Sequence, residues 1–150
     1  MKQLHEILEN IDVLNLSGTT EAVVTHVTMD SRKVKKGALF AAVRGTVTDG
    51  HRFIEKAIEQ GAAAVICEEM PERKHPGVTW IQVADSAEAF GRAASNFYGR
   101  PSGQLKLVGI TGTNGKTTMA TLLFELFAAL GYKVGLISTI ENRVNTRSIP

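Results

Sequence analysis

Apolar residues recur along the chain with two periods, and these predict its elements. Leu4, Ile7, Leu8 and Ile11 stand at i, i+3, i+4 and i+7, the spacing of a short amphipathic helix. Residues 23–28 read as a strand entering the polar turn Asp30-Ser31-Arg32, and 39–43 as a second strand bounded by Gly37 and Gly45. A helix is expected over about 51–60, with Phe53, Ile54, Ala57 and Ile58 inward and Gly61 as its stop. Residues 63–67 form an unbroken apolar run, as in a strand buried on both faces. After a polar connection over 71–77, residues 78–83 make another strand. Asp85 and Glu88 then have capping-box spacing ahead of a helix carrying Ala87, Phe90, Ala94 and Phe97 on one face.

Strands alternating with helices imply an α/β fold, here a small N-terminal α/β domain with a mostly parallel sheet. Tyr98-Gly99-Arg100-Pro101-Ser102-Gly103 is rich in turn formers and reads as an interdomain linker or a plain helix-to-strand loop. The expected division is a domain over 1–99, a linker over 100–104 and a second region over 105–150. In that region a strand at 105–111, a glycine-rich turn, a helix at 116–130 and a strand at 134–138 form one β-loop-α-β unit. A lone unit of this kind leaves apolar faces uncovered, so it reads as the start of a larger P-loop-type central domain.

Composition narrows the classes. With 43% hydrophobic and 21% charged residues over 150 positions, the chain can build a real core, which excludes disorder and coiled coil. No apolar run approaches the roughly 18 residues of a membrane helix, and the first residues lack a signal-peptide core, so a cytoplasmic protein without a membrane partner is expected. Cys67 is the single cysteine, which allows no internal disulfide and no cysteine zinc cluster. The formal charge of +2 divides into −1 over residues 1–100 and +3 over 101–150. That excess suits a small phosphorylated ligand near the C-terminal part and argues against nucleic acid. His5, His26 and His75 lack metal-ligand spacing, and Lys33, Lys35 and Lys36 read as a solvated turn. Asp49-Gly50 reads as a turn pair, and His51 as an ordinary helix-start residue. A monomer is expected.

The sharpest chemistry lies in Gly109-Ile110-Thr111-Gly112-Thr113-Asn114-Gly115-Lys116-Thr117-Thr118. Glycines let backbone N–H groups converge on phosphate oxygens, and a helix N-terminus adds positive potential there. Lys116 can reach β and γ oxygens, and the Thr117 hydroxyl can ligate magnesium. The strict P-loop pattern wants a glycine where Ile110 stands; the match is to the shorter form Gly-Thr-Asn-Gly-Lys-Thr-Thr. Two other readings are a dinucleotide loop, on the spacing of Gly109, Gly112 and Gly115, and a glycine-rich turn without a ligand. The dinucleotide loop wants small residues at the positions of Lys116 and Thr117.

The 111–118 loop resembles the ATP-binding loop of the Mur ligases, which extend the UDP-linked precursor of peptidoglycan. Upstream, Asp30-Ser31-Arg32-Lys33-Val34, Gly37-Ala38-Leu39-Phe40-Ala41-Ala42-Val43-Arg44-Gly45, Asp49-Gly50-His51-Arg52-Phe53-Ile54 and Gly61-Ala62-Ala63-Ala64-Val65 resemble the two members that add the third residue and the terminal dipeptide. Gly131-Tyr132-Lys133-Val134-Gly135-Leu136-Ile137-Ser138-Thr139-Ile140 resembles the third-residue member more than the D-Ala-D-Ala-adding one. A generic P-loop NTPase or phosphotransferase, the further alternative, has no reason to carry the 30–54 series, and neither has a non-catalytic nucleotide-binding module.

The resemblance implies an ATP-dependent amide ligase working through an acyl phosphate, with ATP and Mg2+ as cofactors. The partners it implies are a UDP-linked muramoyl dipeptide and an amino acid, diaminopimelate before lysine. By the same resemblance, ATP would be held by Gly112, Thr113, Asn114, Gly115, Lys116, Thr117 and Thr118, with Lys116 catalytic and Thr117 on magnesium. The UDP moiety would be met by Met29, Ser31, Thr46, Val47 and Thr48, with only backbone contacts expected at Thr46 and Val47.

Overall fold

The computed structural model describes residues 1–45 and 48–149, and the chain divides into two compact units, Met1–Leu105 and Lys106–Pro150. The first unit opens with β1 (Lys2–Gln3), α1 (Leu4–Ile7), β2 (Val13–Ser17), β3 (Val23–Val24), β4 (His26–Thr28) and β5 (Ala38–Ala41). It continues with α2 (Ile54–Glu59), β6 (Ala62–Cys67), β7 (Thr79–Val83) and α3 (Ser86–Phe97). Its main sheet has the order β2-β7-β6-β5-β4, in which β4, β5, β6 and β7 are mutually parallel and β2 runs antiparallel on β7. The α/β architecture with a mostly parallel sheet is therefore present.

Alternation along the strands produces two cores. Leu39 and Ala41 of β5, Ala64 and Ile66 of β6, and Ile81 and Val83 of β7 face α1 and α3. On the opposite face Ala38, Phe40, Val65, Cys67 and Trp80 pack against Ile54 and Ala57 of α2. Both faces of the central strands are thus covered, which explains why residues 63–67 read as continuous apolar sequence. Burial raises the Cys67 thiol pKa to about 11, so it is an inert core group.

Several elements differ from the sequence reading. The expected strand over 23–28 is two strands broken at Thr25: β3 pairs with β1, and β4 joins the main sheet. Helix α1 is a single turn, and the helix expected over 51–60 starts as a 3-10 turn, Gly50–Phe53, in which Phe53 is exposed. Strand β2 was not expected. Its outward Leu14 and Leu16 blur the alternation, and its register on β7 slips between Val13 and Asn15. On α3 the buried face is Ser86, Ala89, Ala93 and Asn96, while Ala87 is exposed and Phe90 and Phe97 flank the core. Small residues let α3 approach the sheet, so the larger apolar side chains mark the border of the contact. Asp85 caps this helix as expected, accepting from the Ala87 and Glu88 amides at 2.9 Å each.

The second unit contains α4 (Lys116–Ala129), β8 (Gly135–Ile137), β9 (Asn142–Val144) and β10 (Arg147–Ile149). Its sheet is antiparallel, order β10-β9-β8. The strand expected at 105–111 is not formed: among the described residues it has no ladder partner, and Leu107 is 77% exposed. Apolar sequence makes a strand only when another strand pairs with it, and β8 pairs with the following β9. Helix α4 agrees with its expected span. It buries Phe124, on whose ring the Arg143 guanidinium lies at 4.6 Å, and leaves Met119, Leu122 and Leu126 exposed.

Candidate functional site

The residues expected to carry chemistry fall in two places, one in each unit. In the second, the glycine-rich loop runs directly into α4. Gly115 is the N-cap with φ 76, and Gly112 has φ 147, backbone that side chains rarely adopt. A Cβ at Gly115 would meet nothing within 4 Å, so glycine is required there by the backbone conformation and not by crowding. Lys116 occupies the first helical position, and its ammonium donates to the Gly112 and Thr113 carbonyls. An ammonium has three N–H donors; two hold it over the loop and one remains for an anion. Thr117 is half-buried beside it, and Thr111, Gly112, Thr113, Asn114 and Thr118 are exposed. Open glycine backbone, the first amides of a 14-residue helix and a tethered cation fit the phosphates of a nucleotide. No cluster of three His, Cys, Asp or Glu that could hold a metal exists among the described residues. Thr117 with phosphate oxygens fits a magnesium ion, which binds in that way.

In the first unit the site-forming segments all leave the carboxyl ends of the parallel strands, the edge at which open α/β sheets present ligands. After β4 come Met29, 58% exposed, and Ser31, 8% exposed, which begins the 3-10 turn Ser31–Lys33. Asp30 caps this turn through the Arg32 amide, and the Arg32 guanidinium donates to both its oxygens. These bonds lower the Asp30 carboxyl pKa to about 2. After β5 the chain closes a tight loop: Gly45 N–H donates to the Thr48 carbonyl at 3.2 Å, and Gly50 N–H to the Val43 carbonyl at 2.9 Å. A Cβ on Gly50 would lie 2.6 Å from that carbonyl oxygen, so only glycine permits this closure. Thr48 is exposed. Thr46 and Val47 lie outside the described residues. Strands β4 and β5 are neighbours, with Thr28 opposite Phe40, so the Ser31 turn and the Arg44–Gly45 segment follow adjacent strand ends.

A polar network at this edge had no sequence signal of comparable strength. Arg44 reaches Glu69 at 2.7 Å and lies 3.5 Å from both Asp49 and Glu68. His51 Nδ1 meets Asp49 Oδ1 at 2.7 Å, and its Nε2 receives the Glu68 backbone N–H at 2.9 Å. The Glu68 carboxylate accepts from the Ser86 hydroxyl at 2.8 Å and the Ser86 amide at 3.1 Å, which holds its pKa below the usual carboxylate range. The Asp49 pKa is also lowered, mainly by the His51 backbone amide and then by its ring. Only the Asp49-to-His51 spacing, that of an Asx turn, is local; Glu68 and Ser86 arrive through the parallel topology.

Residues 23–98 match the family model described as the Mur ligase family, catalytic domain. Over 148 residues the chain is 53% identical to the UDP-N-acetylmuramoyl-L-alanyl-D-glutamate--2,6-diaminopimelate ligase of Bacteroides fragilis, covering 99% of this chain and 30% of the relative. The chain thus spans about a third or less of the curated relatives it matches. A solved structure of a UDP-N-acetylmuramoyl-L-alanyl-D-glutamate--2,6-diaminopimelate ligase superposes with TM-score 0.66 at 25% identity, over 99% of this chain and 30% of that one. The MurF ligase of Thermotoga maritima, solved in complex with ADP, superposes with TM-score 0.54 at 29% identity, over 69% of this chain and 23% of that one. With its parallel sheet, its edge loops and a family match across half its length, this chain belongs to the Mur ligase family.

Proposed function

We propose that these residues are the opening portion of an ATP-dependent amide ligase of peptidoglycan precursor synthesis. It adds the third amino acid, meso-diaminopimelate, to UDP-N-acetylmuramoyl-L-alanyl-D-glutamate in the cytoplasm. The observation that carries the reading is the 53% identity over nearly the whole chain to a relative of that name, in a chain whose glycine loop opens α4 with Lys116. In this reading residues 1–99 anchor the nucleotide-sugar, 100–104 link, and 105–150 begin the ATP-binding region.

Each residue has a physical task. Ser31 and the exposed backbone around Met29 and Thr48 offer a hydroxyl and amides to uracil and pyrophosphate, groups that need directional donors more than net charge. The amides of 112–118 and the Lys116 ammonium cradle the ATP phosphates, and Lys116 offsets negative charge gathering on the γ-phosphoryl oxygens as the substrate carboxylate becomes an acyl phosphate. Thr117 would hold Mg2+ through its hydroxyl, and the ion would supply positive charge to offset that of the phosphate oxygens.

The full-length ligase, given UDP-N-acetylmuramoyl-L-alanyl-D-glutamate, ATP and Mg2+, is expected to release ADP and phosphate and to form the amide with diaminopimelate in preference to lysine. Amide formation with D-Ala-D-Ala instead, or ATP hydrolysis without an amide product, would overturn the reading.

A further inference from the structure

The network beside the Ser31 turn has a defined proton arrangement. The Glu68 backbone N–H donates to His51 Nε2, so that nitrogen holds a lone pair and the ring proton sits on Nδ1. Nδ1–H then donates to Asp49 Oδ1, which also accepts the His51 backbone N–H at 2.9 Å. A neutral imidazole thereby joins the end of β6, through main chain, to the carboxylate at the base of the 44–50 loop. The other Asp49 oxygen faces Arg44, whose backbone N–H approaches the Ser86 hydroxyl at 3.4 Å. Arg44, Asp49, His51, Glu68 and Ser86 form a closed ring across the ends of β5, β6 and β7.

That ring is not what folds the loop. The loop is closed by its own main-chain bonds, Gly45 to Thr48 and Gly50 to Val43, with Arg44 and Asp49 bridged as an antiparallel pair. The apolar cores lie on the two sheet faces and do not include His51. What the imidazole adds is orientation. Both of its nitrogens are engaged by groups on different strand ends, so the loop base can neither slide along the edge nor rotate about Gly50 without breaking a bond.

We propose that His51 is a positioning residue for the nucleotide-sugar substrate. Through Asp49 and the Glu68 main chain it fixes the Asp49–Gly50 segment at the strand ends near the Ser31 turn, and so the placement of the adjoining Thr48, which meets the UDP moiety. The proposal rests on the function proposed above.

The test uses the full-length ligase with His51→Ala, His51→Asn and His51→Gln, measuring kcat and separate KM values for UDP-N-acetylmuramoyl-L-alanyl-D-glutamate and ATP. Hydrogen exchange at the β6 and β7 amides, whose side chains are buried on both sheet faces, monitors the fold of the first unit. His51→Ala removes both part-buried hydrogen bonds of the ring and is expected to raise the nucleotide-sugar KM roughly tenfold, with kcat and the ATP KM within about twofold of wild type. His51→Asn keeps a donor near the Nδ1 position and His51→Gln an acceptor near the Nε2 position, so each restores part of the loss. A wild-type nucleotide-sugar KM in His51→Ala overturns the proposal. So does an equal change in both KM values accompanied by faster exchange at those β6 and β7 amides, the mark of a purely structural residue. If the wild-type ligase itself does not turn over the nucleotide-sugar, the underlying function fails first and takes this proposal with it.

Discussion

Replacing Glu68 by alanine should destabilise the first unit far more than its position at a sheet edge suggests. Ser86 is 0% exposed, and both its hydroxyl and its amide donate to one Glu68 oxygen. Removing that oxygen leaves two buried donors unsatisfied at the first turn of α3. Each costs about 1 to 3 kcal/mol, and water entering the space left by the side chain relieves part of this, so a loss of about 2 to 4 kcal/mol follows. Urea unfolding at pH 7, followed by Trp80 emission, reads this unit alone because the chain has no other tryptophan. With a slope of about 1 to 3 kcal/mol per molar urea, the midpoint should fall by roughly 1 to 2 M. Glu68→Gln keeps an acceptor oxygen and should lose less than half as much. The pH dependence has a definite sign. The folded carboxyl pKa is lowered, so its stabilisation is present above the unfolded value near about 4.3 and is lost as pH falls through the folded value. The gap between wild type and Glu68→Ala should therefore close in acid. A midpoint for Glu68→Ala within about 0.3 M of wild type at pH 7 would refute the reasoning.

Three further outcomes are expected. Lys116→Met keeps the aliphatic stem and removes the ammonium; in the full-length ligase it should lower kcat/KM for ATP by about 30-fold or more, the scale of a charge-assisted contact, with the nucleotide-sugar KM unchanged. Asp85→Ala removes the acceptor for two amides of α3 and should destabilise the first unit by about 1 kcal/mol, seen as a small urea midpoint shift. Asn96→Ala removes the donor that bridges the Ile7 and Glu9 carbonyls, uncoupling α1 from α3, and hydrogen exchange at 4–8 should accelerate well before the sheet amides respond.

What could be read directly was what depends on neighbours in sequence. Residues 63–67 announced a strand buried on both faces, Asp85 a helix cap and Gly115-Lys116 a glycine turn opening a helix, because each signal is completed within a few residues. What could not be read depends on partners far along the chain. Strand β2 is recognisable only once β7 pairs with it across more than 60 positions, and Thr25 breaks a strand only because β1 and β5 claim its two halves. The apolar run at 105–111 had the composition of a strand without the ladder to make it one. On α3 the error was one of size: large apolar residues drew attention, while Ala89, Ala93 and Asn96 make the closest approach. The same limit hid the edge network, since Asp49, Glu68 and Ser86 look like separate turn residues until a parallel sheet gathers them.

The sheet order also constrains how this protein comes to be folded. Both outer strands, β2 and β4, belong to the first 28 residues, yet among the described residues β2 pairs with 79–83 in the main sheet, and α1 packs on the later strands and α3. During synthesis, at about 5 to 20 residues per second, the opening segment therefore waits several seconds with Leu14, Leu16 and the α1 apolar side chains unpaired. Closure of the first unit is set by long-range pairing and not by local helix formation, which places it among the slower folders for its size. A nascent chain stalled before residue 83 would display β2 as an open edge, the form in which a chaperone or a second copy could capture it.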